Sequence, residues 1–248
     1  MALINLHVFS NSLQMQTEVE VVIPQKDKCG EIGVNGKEEN QKTLYLLHGL
    51  SDDQTIWCRR TSIERYAEEY GVCVVMPCGG RSFYFNQKNG ENYYDYIAKE
   101  LPQLISQFFH VSNKREDRYI AGLSMGGYGA LKIALKENET FCAGAGLSTV
   151  ADINVFKDHL ANVVKDEKDI VENDLFKLVE QKANEPQKPR LFMWCGTEDF
   201  LYDDNVKLKD YIANNFNYDF VYNECEGNHS WPYWDEQIKN VLNWMFKK

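Results

Sequence analysis

The chain has 248 residues, a length that suits one large α/β domain or two small ones, and its 44% hydrophobic and 13% aromatic residues can bury a sizeable core and exclude a disordered chain. Its 27 basic and 37 acidic side chains give a net charge of −10, which argues against nucleic acid and anionic membranes as partners. The seven cysteines are odd in number and contain no Cys-x-x-Cys pair, so we expect reduced, structural thiols. Neither a signal peptide nor an apolar run of ~20 residues is visible, and we expect a cytoplasmic protein.

Short apolar runs, taken in chain order, predict a sheet with helices between its strands. Residues 2–10 and 13–24 predict an antiparallel hairpin at the sheet edge, and the charged, glycine-containing residues 25–42 predict a surface loop. Pro102 inside the helix predicted at 93–109 predicts a kink there. The further strands are predicted at 43–47, 72–76, 118–121, 141–147, 190–195 and 218–222, and the helices at 62–70, 93–109, 127–136, 205–214 and 235–246.

Buried strands that alternate with helices imply parallel βαβ units with right-handed crossovers. Residues 150–188 break this pattern because they are highly charged and only weakly periodic, so we predict a small helical insertion there that is a candidate for a partial lid. The expected architecture is a single α/β domain over residues 1–248. It has a mostly parallel central sheet, an antiparallel N-terminal edge hairpin and helices on both faces.

The pentapeptide Gly-Leu-Ser-Met-Gly at 122–126 lies between a predicted strand and a predicted helix. Gly-x-Ser-x-Gly in that setting is typical of a nucleophile elbow, in which the serine takes a strained backbone conformation at the top of the sheet. Gly122 and Gly126 supply the small neighbours that so tight a turn needs. The alternative is an ordinary glycine-rich turn. We predict that Ser124 is a nucleophile.

A serine hydroxyl is a poor nucleophile at neutral pH and needs a base that a carboxylate orients. Two histidines follow Ser124 in the chain. His159 lies in the charged insertion, whereas His229 lies in a loop between the last strand and the last helix, where this architecture carries its base. Asp199 follows a buried strand by four residues, and we predict it as the acid in preference to Glu198 beside it.

An oxyanion hole needs two N–H donors, and we predict them at Met125 and Leu50. Leu50 follows the strand at 43–47, and Gly49 before it lets the backbone approach a substrate closely. His48 is predicted to support this loop rather than to act as a base. Aromatic residues are candidates for a substrate pocket, although each could equally pack in the core or on the surface. They are Trp57, Phe83, Tyr84, Trp231 and Trp234.

Four segments of the chain resemble the esterase D family, and most closely its bacterial tributyrin esterases: residues 46–50, 120–130, 196–202 and 227–231. The resemblance extends over residues 3–246. It implies the α/β-hydrolase fold, hydrolysis of carboxylic esters with short acyl chains, and no cofactor. It also implies a catalytic triad of Ser124, Asp199 and His229, with Leu50 and Met125 as oxyanion donors. The loop at 78–84 matches the family less well.

The predicted function is therefore that of a serine carboxylesterase with a small-molecule ester substrate. A thioesterase of the S-formylglutathione hydrolase kind and a feruloyl or acetyl-xylan esterase stay open as alternatives, as does a hydrolase fold that has lost catalysis and serves as a binding module. A metal protein is not supported, because the five histidines and seven cysteines show no ligand spacing. A homo-oligomer is compatible with the aromatic content.

Overall fold

Eight strands form one central sheet in the computed structural model of the chain, which describes residues 1–25 and 41–247. Most of the surface loop predicted at 25–42, with Cys29, therefore lies outside the described residues. The strands are β1 (Ala2–Ser10), β2 (Met15–Ile23), β3 (Thr43–Leu47), β4 (Cys73–Pro77), β5 (Arg118–Leu123), β6 (Ala143–Leu147), β7 (Arg190–Gly196) and β8 (Phe220–Cys225).

The sheet order is β1-β2-β4-β3-β5-β6-β7-β8. β1 pairs antiparallel with β2, from Ala2 opposite Ile23 to Ser10 opposite Met15, and β2 pairs antiparallel with β4. Every later pair is parallel. The predicted edge hairpin and the mostly parallel sheet are thus confirmed. β3 to β7 are almost wholly buried, which explains their continuous apolar sequences.

Helices cover both faces of the sheet, as predicted. α3, α4, α5, α8 and α9 pack over one apolar layer, and α1, α2 and α10 pack over the other. The helices are α1 (Ile56–Arg60), α2 (Ile63–Tyr70), α3 (Tyr93–Asp95), α4 (Leu101–Phe108), α5 (Met125–Lys136), α6 (Lys157–Leu160), α7 (Glu167–Glu172), α8 (Leu175–Lys182), α9 (Tyr202–Asn215) and α10 (Trp231–Phe246).

The helix predicted at 93–109 contains a change of winding. A π-helical turn over Tyr96–Glu100 joins α3 to α4, and Pro102 follows it in the first turn of α4. Proline has no N–H, so it cannot donate to the carbonyl of Ala98 four residues earlier. Wider winding directly before the proline is a common way to accommodate such a gap in the hydrogen-bond ladder.

Several elements differ from the sequence prediction, and the largest differences concern α1, α10 and β8. α1 lies in a segment for which the sequence predicts no helix, and α10 begins at Trp231 rather than at residue 235. Pro232 in the first turn of α10 suits that earlier start because a proline is favoured there. β8 begins at Phe220, two residues later than predicted, and its last three residues are exposed at the sheet edge.

The segment between β6 and β7 contains short helices only. A 3₁₀ turn over Ile153–Phe156 leads into α6, and α7 and α8 follow. This is the position of the insertion predicted at about 150–188. Among the described residues, no helix has the length and apolar character needed to cross a membrane.

Candidate active site

Ser124 stands in the turn between β5 and α5 with φ 53° and ψ −116°. A non-glycine residue with positive φ is strained, and surrounding bonds must hold it there. The Ser124 N–H donates to the carbonyl of Leu147 at 2.8 Å, and the Ser124 carbonyl accepts from the N–H of Tyr128 at 3.0 Å. The turn is therefore fixed by β6 on one side and by the first turn of α5 on the other.

The two glycines of the pentapeptide are required by close backbone contacts. A Cβ on Gly122 would overlap the carbonyl of Gly126, and a Cβ on Gly126 would lie 2.5 Å from the Leu47 carbonyl oxygen. Real Cβ atoms do not come this close to carbonyl oxygens, so any larger residue at either position would displace the serine turn.

Three side chains from three separate loops meet at Ser124. The Oγ of Ser124 lies 3.0 Å from Nε2 of His229, and Nδ1 of the same ring lies 2.9 Å and 3.1 Å from the two carboxylate oxygens of Asp199. With Nδ1 donating to the carboxylate, Nε2 is free to accept the hydroxyl proton. The order hydroxyl, imidazole, carboxylate is what general-base activation of a serine requires.

The Asp199 side chain is fully buried, while that of His229 keeps 22% of its surface exposed. Burial alone would raise the pKa of Asp199. The hydrogen bond and charge of His229 outweigh it, with smaller help from the Leu201 N–H and the Ser148 hydroxyl, so the pKa lies below its ordinary value. Asp199 is therefore held as a carboxylate beside the imidazole.

Two aromatic rings enclose the His229 imidazole. Trp234 meets it edge-on, with 4.9 Å between ring centroids, and Phe200 lies 4.7 Å away at a tilt of 53°. The Trp234 indole N–H donates to the Ser148 hydroxyl at 3.0 Å. The imidazole orientation is thus fixed by packing as well as by the Asp199 bond.

The loop that follows β3 runs directly beside Ser124. A Cβ on Gly49 would lie 3.9 Å from the Ser124 Cβ. Among residues 1–25 and 41–247, the N–H groups of Leu50 and Met125 have no hydrogen-bond acceptor. Free main-chain donors in the loop beside Ser124 and in the residue after it are suited to binding an oxyanion.

His48 supports this loop, which agrees with the role predicted for it. Its Nε2 accepts from the Gly79 N–H at 2.8 Å, so the proton is on Nδ1, which donates to the Gly49 carbonyl at 2.7 Å. Burial lowers the pKa of His48, although the Gly49 bond and the charges of Asp52 and Asp53 act in the opposite direction. A neutral imidazole is the form that this pair of bonds needs.

Comparison with known proteins identifies the family. Residues 10–245 match the model of the Esterase family, described as "Putative esterase". The chain belongs to this family.

Individual relatives agree with the match over the full length. The chain is 32% identical to an acetyl esterase from Caldicellulosiruptor saccharolyticus, covering 100% of this chain and 99% of the relative. It is 36% identical to the structure of fluorophosphonate-binding serine hydrolase F from Staphylococcus aureus (TM-score 0.87, 100% and 99% of the two chains). It is 35% identical to an S-formylglutathione hydrolase from the same organism (TM-score 0.83, 99% of each chain). These likenesses confirm the α/β-hydrolase fold.

Three of the aromatic residues predicted to line a substrate pocket do not do so. Trp57, Phe83 and Tyr84 are each 0% exposed. The Trp57 indole N–H donates to the Leu47 carbonyl at 3.1 Å, and the Tyr84 hydroxyl donates to the His48 carbonyl at 2.8 Å. The polar atoms of Trp57 and Tyr84 thus bond the main chain, and all three rings lie in the core.

The two tryptophans near His229 lie in different positions. Trp231 is half-buried against Trp57 and Trp234, with ring centroids 5.1 Å and 5.3 Å apart, and stays a candidate for the pocket. Trp234 is 5% exposed and packs beneath the imidazole. The other candidate base, His159, bonds the Arg81 carbonyl instead of Ser124.

Sequence reasoning missed two residues of the site, Ser148 and Phe200. Ser148 follows β6, the neighbour of β5 and β7, so its place at the carboxyl end of the sheet was a usable signal. Phe200 directly follows Asp199. In the part of the chain that the structure describes, no group of three or more His, Cys, Asp or Glu side chains is arranged to hold a metal ion.

Proposed function

We propose that this chain is a serine carboxylesterase that hydrolyses short-chain acyl esters through an acyl-enzyme. The observation that carries the proposal is the line of hydrogen bonds from Ser124 Oγ to His229 Nε2 at 3.0 Å and from His229 Nδ1 to Asp199 at 2.9 Å. Membership of the Esterase family supports the same class of reaction.

In the first step, Ser124 Oγ attacks the ester carbonyl carbon while His229 Nε2 takes the hydroxyl proton. Asp199 keeps the Nδ1–H in place and stabilises the imidazolium. The N–H groups of Leu50 and Met125 bind the oxyanion of the tetrahedral intermediate. The alcohol then leaves with the proton from His229, and the acyl group stays on Ser124.

In the second step, a water molecule gives a proton to His229 and attacks the acyl carbonyl. The second tetrahedral intermediate collapses, the carboxylic acid leaves, and Ser124 regains its proton. Each proton and each leaving group has a place in this cycle, which needs neither a metal ion nor an organic cofactor.

The name of the relative that is 32% identical, an acetyl esterase, supports a short acyl group. A second candidate is a thioester, because a structure 35% identical over 99% of both chains is an S-formylglutathione hydrolase. Both substrates would pass through the same acyl-serine, so the leaving group alone separates them. Feruloyl and acetyl-xylan esters are the remaining candidate substrates.

The proposal also covers the compartment and the subgroup of the family. We place the protein in the cytoplasm, because the six described cysteines are all free. Within the family, we place it with the tributyrin esterases, which its motifs resemble. Its partner is a small-molecule ester rather than a nucleic acid, given the net charge of −10. A homo-oligomer is compatible with these features.

The test is hydrolysis of p-nitrophenyl acetate, butyrate and octanoate, methyl ferulate and S-formylglutathione by the wild type and by Ser124→Ala. Ser106→Ala is the matched control, since that hydroxyl bonds the Pro102 carbonyl on α4. Ser124-dependent cleavage of the acetate and butyrate esters with little cleavage of octanoate would establish a short-chain esterase. Turnover of methyl ferulate or of S-formylglutathione would instead indicate a feruloyl esterase or a thioesterase. No Ser124-dependent turnover on any substrate would favour the non-catalytic binding module.

A further inference from the structure

The feature of this fold that the proposed mechanism leaves unused is a buried ammonium group. Lys132 lies on α5, two turns after Ser124, and is 0% exposed. No salt bridge in the described ranges 1–25 and 41–247 includes it. A buried charge is costly unless hydrogen bonds compensate it, so such a lysine calls for a specific reason.

The ammonium of Lys132 bonds the main chain of one turn. Its Nζ lies 2.8 Å from the Tyr84 carbonyl oxygen and 3.1 Å from that of Phe83. It also faces the rings of Phe85 and Tyr128, 3.8 Å and 4.8 Å from their centroids, which favours a cation. Burial, and next the nearby Lys136, lower its pKa.

The turn that Lys132 holds is strained. Phe83 and Tyr84 have φ 48° and 55°, two successive non-glycine residues in the left-handed region. Such a pair persists only where its surroundings fix it. The Ser82 hydroxyl accepts from the Tyr84 N–H at 2.9 Å, and Lys132 holds the two carbonyls.

Tyr84 carries this constraint to the candidate oxyanion hole. Its hydroxyl donates to the His48 carbonyl at 2.8 Å, two residues before Leu50. Its ring packs closely between two glycines, since a Cβ on Gly79 would lie 2.6 Å from Cε1 and a Cβ on Gly129 would overlap the other ring edge. The position of the ring therefore fixes the position of the His48 carbonyl.

We propose that Lys132 is a positioning residue, which fixes the Phe83–Tyr84 turn and, through the Tyr84 hydroxyl, aims the Leu50 N–H at the oxyanion. α5 also begins with Met125, so one helix sets both donors relative to Ser124. The proposal rests on the proposed function, because a correctly aimed donor matters only when Ser124 attacks a carbonyl.

A lysine that only stabilises the fold would lower the melting temperature of its variant and leave the kinetics of the folded fraction unchanged. A positioning lysine acts on the transition state, where the oxyanion forms, and leaves ground-state binding alone. Trifluoromethyl ketones separate the two roles, since Ser124 adds to them reversibly and their oxyanion occupies the same hole.

The test is Lys132→Met, which removes the ammonium and keeps most of the volume. We expect its kcat on p-nitrophenyl acetate to fall about 10–100-fold with KM within about twofold, since loss of a whole oxyanion donor costs about 100–1,000-fold. The Ki of a trifluoromethyl ketone should rise by the factor by which kcat/KM falls. Lys136→Met is the matched control, because that ammonium bonds Asn173 Oδ1 at 2.9 Å, and it should change none of these values.

Tyr84→Phe tests the second link and decides alone if Lys132→Met does not fold. It removes one hydroxyl and keeps the ring, and we expect the same fall in kcat at constant KM. In the double variant Lys132→Met/Tyr84→Phe, the losses should combine to less than their product, because both residues act through one carbonyl. Full multiplication would overturn the proposal.

A folded Lys132→Met or Tyr84→Phe with wild-type kcat and wild-type ketone affinity would also overturn it, as would a loss confined to KM. In each of these cases the wild type still hydrolyses esters through Ser124. The positioning role would then be wrong while the proposed function stands. If the wild type hydrolyses none of the esters, the rate at which a fluorophosphonate labels Ser124 gives the same comparison. Slower labelling of both variants supports the positioning role, and equal rates overturn it.

Discussion

The ring of Phe200 lies 4.7 Å from the imidazole of His229 while 65% of its surface is open to solvent. A ligand that covers an exposed apolar ring gains free energy in proportion to the apolar area removed from water. Because the ring adjoins the proposed base, a bound ester would remove part of it from water, and Phe200 becomes a candidate for substrate specificity.

We expect Phe200→Ala to raise KM for p-nitrophenyl butyrate by about 5–30-fold, in line with the loss of about 1–2 kcal/mol of apolar contact. kcat should change less than KM, because the imidazole keeps its bonds to Asp199 and Ser124 and its contact with Trp234. Steady-state kinetics on butyrate esters of p-nitrophenol and methanol will show which part of the substrate the ring contacts. Phe108→Ala, on the exposed side of α4, is the control, and equal kinetics in both variants would remove Phe200 from the site.

Asp199→Asn tests the proposed role of the Asp199 carboxylate in orienting His229. An asparagine amide would donate to Nδ1 and drive the proton to Nε2, where the imidazole could no longer accept from Ser124. We expect kcat to fall about 10⁴-fold, as it does when this tautomer is lost in other serine hydrolases. Glu198→Gln, from the same loop, and Asp203→Asn, from the first turn of α9, are controls, and both side chains are exposed. A larger loss in either control than in Asp199→Asn would reassign the acid.

His48 makes the stability of the protein depend on pH. Its folded-state pKa is lowered by burial, whereas an unfolded histidine titrates at about 6.5. As the pH falls below about 6.5, the unfolded chain binds a proton that the folded chain excludes, so the free energy of unfolding decreases. This contribution is complete above that pH and is lost on acidification toward the folded pKa.

Chemical denaturation at several pH values between about 7 and about 5 measures this effect. His48→Gln should show a shallower decrease in the free energy of unfolding than the wild type over that range. Identical slopes would mean that His48 does not exclude the proton.

Gly129→Ala should lower stability, contrary to the usual effect of this change in a helix. Alanine normally gains about 1 kcal/mol over glycine inside a helix. Here the new methyl group would overlap the fully buried ring of Tyr84, and overpacking of this kind costs about 1–3 kcal/mol. We expect a net decrease in the free energy of unfolding and a lower kcat. A more stable variant would show that the ring can move aside.

The sequence predicted the parallel strands well because β3 to β7 are buried on both faces and therefore read as short apolar runs. β8 was misplaced because it is an edge strand that ends in exposed polar residues. α1 was missed because a helix of five residues is too short to show a periodic pattern.

The residues that meet at Ser124 were found because each follows a strand at the carboxyl edge of the sheet, which chain order alone can indicate. The aromatic residues were harder. Nothing in the sequence distinguishes Tyr84, whose ring is fully buried, from Phe200, which is exposed beside the imidazole. The difference arises from the strained turn at 83–84, which points Tyr84 inward through backbone angles that sequence patterns do not report.

The 105 residues that separate Ser124 from His229 have a consequence during synthesis. Ser124 is synthesised well before the loop between β8 and α10, so for part of translation the nascent chain carries the serine without its base. Reactivity is thereby withheld until the last strand has joined the sheet, and the onset of turnover reports that the chain is complete.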